Sequence, residues 1–171
     1  GGTWTFDIKA SECLPYSNEW VEKLHNAINL NAADYMRLHT AYGHYIGEEI
    51  NAFIRKNNLH YQVQIISSHG HTTFHEPALR ITGQLGDGAA IAATTGINVV
   101  SDLRAMDIAL GGQGAPIVPM GEKLLLQEYP LLLNIGGIAN ISANLNDGYV
   151  AFDICPANRV LNMLIAETGT A

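Results

Sequence analysis

Cysteine is scarce in this sequence of 171 residues, which contains only Cys13 and Cys155, far apart and in no metal-ligand spacing. Two isolated cysteines exclude a disulfide-stapled scaffold and are typical of free thiols in a reducing compartment. No apolar run reaches the roughly 18–20 residues that a membrane helix needs, and no signal peptide opens the chain. We therefore expect a cytoplasmic protein without a membrane partner.

Positive charge is also scarce, because 9 Lys and Arg residues stand against 16 Asp and Glu residues, for a formal net charge of −7. No basic cluster occurs, which argues against nucleic acid or an anionic membrane surface as a partner. A single arginine in a cleft can still bind an anion in an acidic protein. The composition is 47% hydrophobic and 15% charged with 17 glycines, which excludes a disordered chain and indicates a globular one rich in turns.

Helices alternate with strands over roughly the first 128 residues, which indicates the α/β class. Strict alternation of apolar and polar residues over Thr3–Ala10 predicts a half-buried strand. The other strands predicted here are Gln62–Ser67, Leu79–Leu85 and a buried Ile97–Val100. Three helices are predicted from their N-caps: Ser17 before a short helix, Asn31 with Asp34 before a long one that ends near Lys56 and packs on a sheet, and Asp87 before Gly88–Thr95.

Consecutive hairpins follow from about residue 129. Gly136 and Gly137 separate the apolar runs Leu131–Ile135 and Ile138–Ala143, which predicts a tight hairpin. A second turn at residues 146–148 leads into a strand over residues 149–154, and a final helix is predicted for Asn158–Thr168. This change of pattern predicts a first domain over residues 1–128 and a second over residues 129–171.

The stretch Ser101–Pro119, SDLRAMDIALGGQGAPIVP, directly follows a predicted strand and combines charge with glycine. Asp102 and Arg104 come first, and a glycine-rich segment over residues 111–114 follows. Loops at the carboxyl ends of strands in open α/β sheets commonly bind ligands. We therefore predict a loop here that binds something polar.

Three histidines, His69, His71 and His75, lie within the segment SSHGHTTFHEP. Neutral imidazoles are good zinc ligands, so one hypothesis is a metal-dependent hydrolase. The other hypothesis is a polar loop whose imidazoles hydrogen-bond the neighbouring backbone. Since no fourth ligand is evident in the sequence, the second hypothesis is favoured.

Two further features are candidates for ligand binding or catalysis. The Gly136-Gly137 turn, with Asn134 and Asn140 on either side, leaves backbone N–H groups free to approach a phosphate. Asp153 ends an otherwise apolar strand, where a carboxylate is either the N-cap of the last helix or a base in a cleft. The spacing leaves both roles of Asp153 open.

Four segments in this order, SSHGHTTFHEP, GDGAAIAATTGINVVSDLRAMDIALGGQGAPIVP, LNIGGIANIS and FDICPAN, resemble the anhydro-N-acetylmuramic acid kinases over most of residues 67–160. The resemblance implies an actin- and ribonuclease-H-like mixed sheet with flanking helices, in a two-domain kinase of peptidoglycan recycling. Members of that family open the 1,6-anhydro ring of their sugar with water and phosphorylate O6 with ATP and Mg²⁺.

The resemblance also implies roles for single residues. Asp153 would be the general base that activates the attacking water, and Arg104 would bind the carboxylate of the sugar or hold a neighbouring acid. The further substrate-binding positions are Asp102, Gly112, Gln113 and His69. The positions that contact phosphate are Asn134, Gly136, Gly137 and Asn140. No residue is assigned to a metal.

The sequence departs from the family pattern in two ways. Cys155 and Ala157 stand where the family has glycine, and the Gly-Met-Ser-Gly-Thr-Ser phosphate loop of the family does not occur before Thr3. We therefore expect an internal segment of a kinase, inactive as 171 residues alone. The alternative is a non-catalytic sugar-binding relative. Apolar surface left by a missing second domain would favour self-association, for which a homodimer is the simplest form.

Overall fold

The computed structural model describes residues 4–145 and 148–169 and has a mixed α/β architecture. It divides into two compact units. The larger unit is Ile8–Pro116, and the smaller contains Ile117–Ala171 together with the N-terminal residues up to Asp7. The α/β class is confirmed, whereas the assignment of residues 1–128 and 129–171 to two kinase domains stays a prediction.

Four helices lie in the described part of the larger unit: α1 (Asn18–Asn26), α2 (Ala32–Lys56), α3 (Gly88–Thr95) and α4 (Leu103–Ala109). The three predicted N-caps are confirmed, because the side chains of Ser17, Asn31 and Asp87 each accept a hydrogen bond from a backbone N–H of the first helical turn. Gly96 ends α3 in the left-handed conformation, with φ 68°, as predicted.

The long helix α2 packs most closely on α3, not on a sheet as predicted. Two glycines on α2 make this possible. A Cβ at Gly43 would lie 2.6 Å from the Asp87 carbonyl oxygen, and one at Gly47 would lie 2.6 Å from Cβ of Thr94. The absence of side chains at Gly43 and Gly47 therefore brings the two helices into close contact.

The core of the larger unit is formed by the buried residues Leu24, Ala27, Tyr42 and Leu85. Trp20 packs on this core and lies 5.4 Å from the ring of Tyr42, centroid to centroid. These residues come from α1, the 3₁₀ turn that follows it, α2 and one strand, so the aromatic side chains join the helices to the sheet.

Four strands lie in the described part of this unit: β1 (Ile65–Ser67), β2 (His71–Glu76), β3 (Ile81–Leu85) and β4 (Asn98–Val100). β1 pairs in parallel with β4, and β2 pairs antiparallel with β3. The predicted burial of β4 is wrong, since Val99 is half-buried while Asn98 and Val100 are exposed. β2 was not predicted, because its polar sequence carries no apolar alternation.

The N-terminal segment is not the predicted half-buried strand. Residues 4–10 have no strand assignment, and Trp4, Phe6 and Ile8 are 61–70% exposed. Thr3 lies outside the described residues. Alternation alone does not make a strand, because the backbone groups must also pair with a neighbour, and no described strand pairs with this segment.

The smaller unit contains α5 (Ile117–Leu125), β5 (Leu131–Ile135), β6 (Ile138–Leu145), β7 (Gly148–Pro156) and α6 (Asn158–Thr168). β5, β6 and β7 form an antiparallel sheet in that order. The Gly136-Gly137 hairpin and the last helix are confirmed. Asn146 and Asp147 of the second predicted turn lie outside the described residues.

The two faces of this sheet differ. The register places the side chains of five exposed apolar residues on one face: Leu131, Leu133, Ile135, Val150 and Phe152, each 45–61% exposed. On the other face Tyr149 donates a hydrogen bond of 2.5 Å to Glu122 of α5. Helix α5 therefore contacts the sheet on its more polar face.

None of the helices within the described residues has the length and apolar character that crossing a membrane requires.

Candidate functional site

Arg104 lies on α4 and reaches across to β2. Its Nη1 donates to Thr72 Oγ1 at 3.3 Å, and its Nη2 lies 3.3 Å from Nδ1 and 3.4 Å from Nε2 of His75. No described carboxylate forms an ion pair with Arg104, and its buried Nε has no hydrogen-bond partner. The guanidinium is thus oriented by a hydroxyl and an imidazole, and it has no counter-ion among the described residues.

The stretch Ser101–Pro119 is not the continuous loop predicted above, because α4 occupies Leu103–Ala109. The residues LRAMDIA include good helix formers, and Ile108 is 3% exposed. The glycine loop, Gly111–Gly114, begins only after α4. Arg104 and Asp107 therefore share a helix that packs on β3.

Asp107 joins α4 to the glycine loop. Its Oδ2 accepts a hydrogen bond of 2.7 Å from the Gly114 N–H, and its carbonyl accepts one of 2.8 Å from the Gly112 N–H. A Cβ at Gly112 would overlap the Asp107 carboxylate. A side chain at position 112 would therefore displace the Asp107 carboxylate from its present place, independently of any ligand.

The three histidines do not converge. The ladder of β2 and β3 shifts register between Thr72 and Phe74, which makes Thr73 a bulge residue. His71 consequently lies opposite Leu85 and His75 opposite Thr82, so the two imidazoles are on opposite faces of the ribbon. His71 is half-buried, and this burial lowers its pKa, which favours the neutral imidazole.

His69 precedes β2 and is exposed, and its Nδ1 lies 2.9 Å from the carbonyl oxygen of Gly70. This is the backbone contact that the second hypothesis described. Over residues 4–145 and 148–169, no three His, Cys, Asp or Glu side chains are grouped to hold a metal ion. The hypothesis of a three-histidine hydrolase is wrong for the described residues.

The other predicted substrate-binding positions surround α4. Asp102 immediately precedes the helix with φ 60°, and its Oδ2 accepts a hydrogen bond of 2.8 Å from Ser101 Oγ. Gln113 is exposed in the glycine loop beside Gly112. No hydrogen bond joins His69 or Asp102 to Arg104 in the described structure.

In the smaller unit, the predicted phosphate-contacting hairpin is bonded to α6. The Gly137 carbonyl accepts from the N–H of Ala157 at 2.9 Å, and the Gly136 carbonyl accepts from the N–H of Asn158 at 3.0 Å. No described residue accepts a hydrogen bond from the N–H groups of Gly136 or Gly137. A Cβ at Gly137 would meet no atom within 4 Å. Two adjacent, unobstructed N–H donors suit an anion such as a phosphate.

Asp153 lies in a polar row across the sheet. The register aligns Asn134 of β5, Asn140 of β6 and Asp153 of β7, so the three side chains share one face. Ile154 is the extra residue of a bulge directly after Asp153, and Asp153 itself is exposed. Bulges often re-aim side chains next to functional sites.

The N-cap role of Asp153 is wrong. Ala157 occupies the N-cap of α6, and the first N–H groups of that helix are bonded to the hairpin carbonyls instead. At Ala157 φ is −123°, and Cys155 pairs regularly with Ala139. Neither backbone is left-handed, so the fold of this chain does not demand glycine at positions 155 and 157.

The sequence alone missed His75 as a partner of Arg104, and it gave no role to Asp107, one of the charged residues in the stretch Ser101–Pro119. The spacing of Arg104 and Asp107, three residues apart, would have placed both on one helix face had a helix been predicted there. The contact between Arg104 and His75 depends on the bulge at Thr73, for which the sequence carries no clear signal.

The comparisons with known proteins all point to one family. A family model described as anhydro-N-acetylmuramic acid kinase matches residues 5–170. Proteins named anhydro-N-acetylmuramic acid kinase are similar to this chain in several bacteria. The one from Methylorubrum extorquens is 47% identical over 127 residues (70% of this chain, 34% of the relative), and the one from Shewanella sediminis is 39% identical over 163 residues (91% and 41%). The chain thus spans about a third to two fifths of the length of these relatives.

Proposed function

Since this chain belongs to the anhydro-N-acetylmuramic acid kinase family, we propose that the protein is a sugar kinase of peptidoglycan recycling. It opens the 1,6-anhydro ring of anhydro-N-acetylmuramic acid with water and phosphorylates O6. ATP supplies the phosphoryl group, and Mg²⁺ accompanies it. The roles assigned below are those of the chain's own side chains and backbone.

The observation that best supports this proposal is that no described carboxylate pairs with the guanidinium of Arg104. Thr72 and His75 orient it without neutralising it, and its Nε is buried without a partner. A partly buried cation of this kind is stabilised by an anion, and the planar guanidinium fork matches a carboxylate. The lactyl carboxylate of the amino sugar supplies that anion in our proposal.

The hairpin residues are proposed to contact the phosphates of ATP. The free N–H groups of Gly136 and Gly137 are the donors, and Asn134 and Asn140 lie on the strands that flank the turn. Such a backbone site binds negative charge without a cationic side chain. Catalysis of phosphoryl transfer depends mainly on positioning and charge stabilisation.

Asp153 is proposed to be the general base for the ring-opening step. Water is a poor nucleophile, and a carboxylate that takes its proton as the new C–O bond forms lowers the barrier. Exposure leaves the Asp153 carboxylate accessible, and the neighbouring asparagines can donate hydrogen bonds that orient the water.

The experiment that tests the whole proposal is ADP release by the full-length gene product. Release should depend on both ATP and anhydro-N-acetylmuramic acid, and the product should carry phosphate on O6. Sugar binding by calorimetry without any ADP release would favour the non-catalytic relative instead. Release without dependence on the sugar would contradict the proposed substrate.

Replacing Arg104 with lysine is expected to raise KM for the anhydro sugar by about 10–100-fold. The reason is that a hydrogen bond to a charged group contributes about 1.5–3 kcal/mol, and an ammonium cannot present the same fork. KM for ATP should not change. The matched control is Arg37→Lys, since Arg37 is exposed and forms its ion pair with Asp34 of the same helix. An unchanged sugar KM in Arg104→Lys would contradict this role.

Replacing Gly137 with alanine is expected to raise KM for ATP about tenfold while leaving the melting temperature unchanged. The added Cβ meets no protein atom within 4 Å, so any loss reports on a ligand that needs close backbone approach. Gly121→Ala is the control, because its Cβ also enters open space. Equal KM values for ATP in both variants would show that the hairpin does not contact the nucleotide.

Three finer points belong to the same proposal. We expect the actin- and ribonuclease-H-like two-domain architecture, a cytoplasmic location and self-association through apolar surface. Support for the last comes from the exposed apolar face of the β5–β7 sheet, which includes Leu133 and Phe152. Sedimentation velocity at several protein concentrations measures it.

A further inference from the structure

We propose that Asp107 is a positioning residue that holds the glycine loop, Gly111–Gly114, against His75 and so keeps Arg104 available to an anionic ligand. This inference rests on the proposed function of Arg104, but one of its consequences can be measured without activity. In this role Asp107 touches neither the ligand nor the reacting atoms. It acts through the loop.

The first step is the attachment of the loop. The Asp107 carboxylate accepts from the Gly114 N–H at 2.7 Å, and the Asp107 carbonyl accepts from the Gly112 N–H at 2.8 Å. Gly111 and Gly114 have φ of 92° and 74°, so the loop uses left-handed backbone that strongly favours glycine.

The second step is the contact between the loop and His75. Gly114 is buried, and a Cβ there would lie 3.0 Å from Ile108 and 3.1 Å from Cε1 of His75. The loop backbone thus packs beside the imidazole ring. Movement of Gly114 away from Asp107 would remove one wall of the space that His75 occupies.

The third step connects His75 to Arg104. Nη2 of Arg104 lies 3.3 Å and 3.4 Å from the two ring nitrogens of His75. A guanidinium can only donate, so the imidazole must accept. A displaced His75 would therefore leave Arg104 oriented by Thr72 alone.

The same geometry explains why Arg104 has no carboxylate partner. Asp107 stands three residues along α4, a spacing at which an ion pair commonly forms. Its carboxylate is instead bonded to the Gly114 N–H, and no described ion pair involves Arg104. Asp107 thus orders the loop while leaving the arginine charge for a ligand.

The test compares Asp107→Ala, Asp107→Asn and Asp107→Glu in the full-length gene product. Asparagine retains an acceptor oxygen at the same distance, whereas alanine removes it and glutamate displaces it. We expect Asp107→Ala and Asp107→Glu to speed hydrogen exchange of the Gly114 amide at least tenfold and to raise the sugar KM about tenfold. KM for ATP should not change, and Asp107→Asn should stay within about threefold of wild type in both readouts.

Asp34→Ala is the matched control, because that half-exposed carboxylate accepts hydrogen bonds from Asn31 and Arg37 at the start of α2 and none from the glycine loop. Circular dichroism verifies that each variant folds. If alanine prevents folding, Asp107→Glu still tests the geometry. Wild-type exchange at Gly114 in Asp107→Glu would overturn the proposal, as would equal losses in Asp107→Asn and Asp107→Ala. If the wild-type protein shows no sugar-dependent ADP release, the proposed function fails, while the exchange rates still decide whether Asp107 holds the loop.

Discussion

Replacing Asp153 with asparagine is expected to lower kcat for sugar-dependent ADP release by a factor of about 10²–10⁴, the usual contribution of a positioned general base. Asparagine preserves size and hydrogen bonding but cannot take a proton from water. Because the change acts on the chemical step, KM for ATP should stay near the wild-type value. Steady-state kinetics with a coupled ADP assay measures both.

The structure supplies a suitable control for this variant. Glu167 is an exposed carboxylate on α6 in the same unit, so Glu167→Gln removes one charge without touching the polar row of Asn134, Asn140 and Asp153. Its kcat should equal that of wild type. Turnover at the wild-type rate in Asp153→Asn would exclude Asp153 as the base and would point to another carboxylate.

The second large effect is on stability. Replacing Gly43 with alanine is expected to lower the free energy of unfolding by about 2 kcal/mol, because overpacking a close contact costs roughly 1–3 kcal/mol. The new Cβ would lie 2.6 Å from the Asp87 carbonyl and 3.0 Å from the Asp87 amide nitrogen. Both are backbone atoms that cannot rotate away. Urea unfolding followed by circular dichroism measures the change.

Gly121→Ala is the matched control for this prediction. Gly121 also lies within a helix, but its Cβ would enter open space. There the higher helix propensity of alanine should stabilise the protein by about 0.5–1 kcal/mol. The same substitution is therefore expected to act with opposite signs on α2 and α5. A stabilising Gly43→Ala would mean that α2 and α3 are not in close contact.

Local signals in the sequence predicted a large part of this fold. Ser17, Asn31 and Asp87 marked the starts of three helices, because a cap is decided by one side chain and the next backbone N–H groups. The Gly136-Gly137 hairpin and α6 were also predicted within a residue or two. Each of these features depends on interactions between neighbours in the sequence.

Features that depend on distant partners were not predicted. The alternation in residues 4–10 has no described strand to pair with, and the polar strand β2 exists because β3 pairs with it. Among the proposed site residues, Arg104 was singled out as a charge after a predicted strand, and its role came from the resemblance. Its contact with His75 depends on a bulge, for which the sequence carries no clear signal, and on α4, whose helix formers were not interpreted as a helix.

The hydrogen bonds between the Gly136-Gly137 hairpin and α6 couple ligand binding at the turn to the stability of the helix. Each glycine peptide presents its carbonyl to the start of α6, while the N–H groups of the two glycines remain free for another partner. A ligand that binds the N–H groups of the turn immobilises its backbone. It thereby also stabilises the start of α6, because the carbonyls of the same two glycines accept hydrogen bonds from that helix. Ligand occupancy and helix order are then thermodynamically linked. A ligand bound to the turn and order at the start of α6, a helix of 11 residues, are therefore expected to stabilise each other.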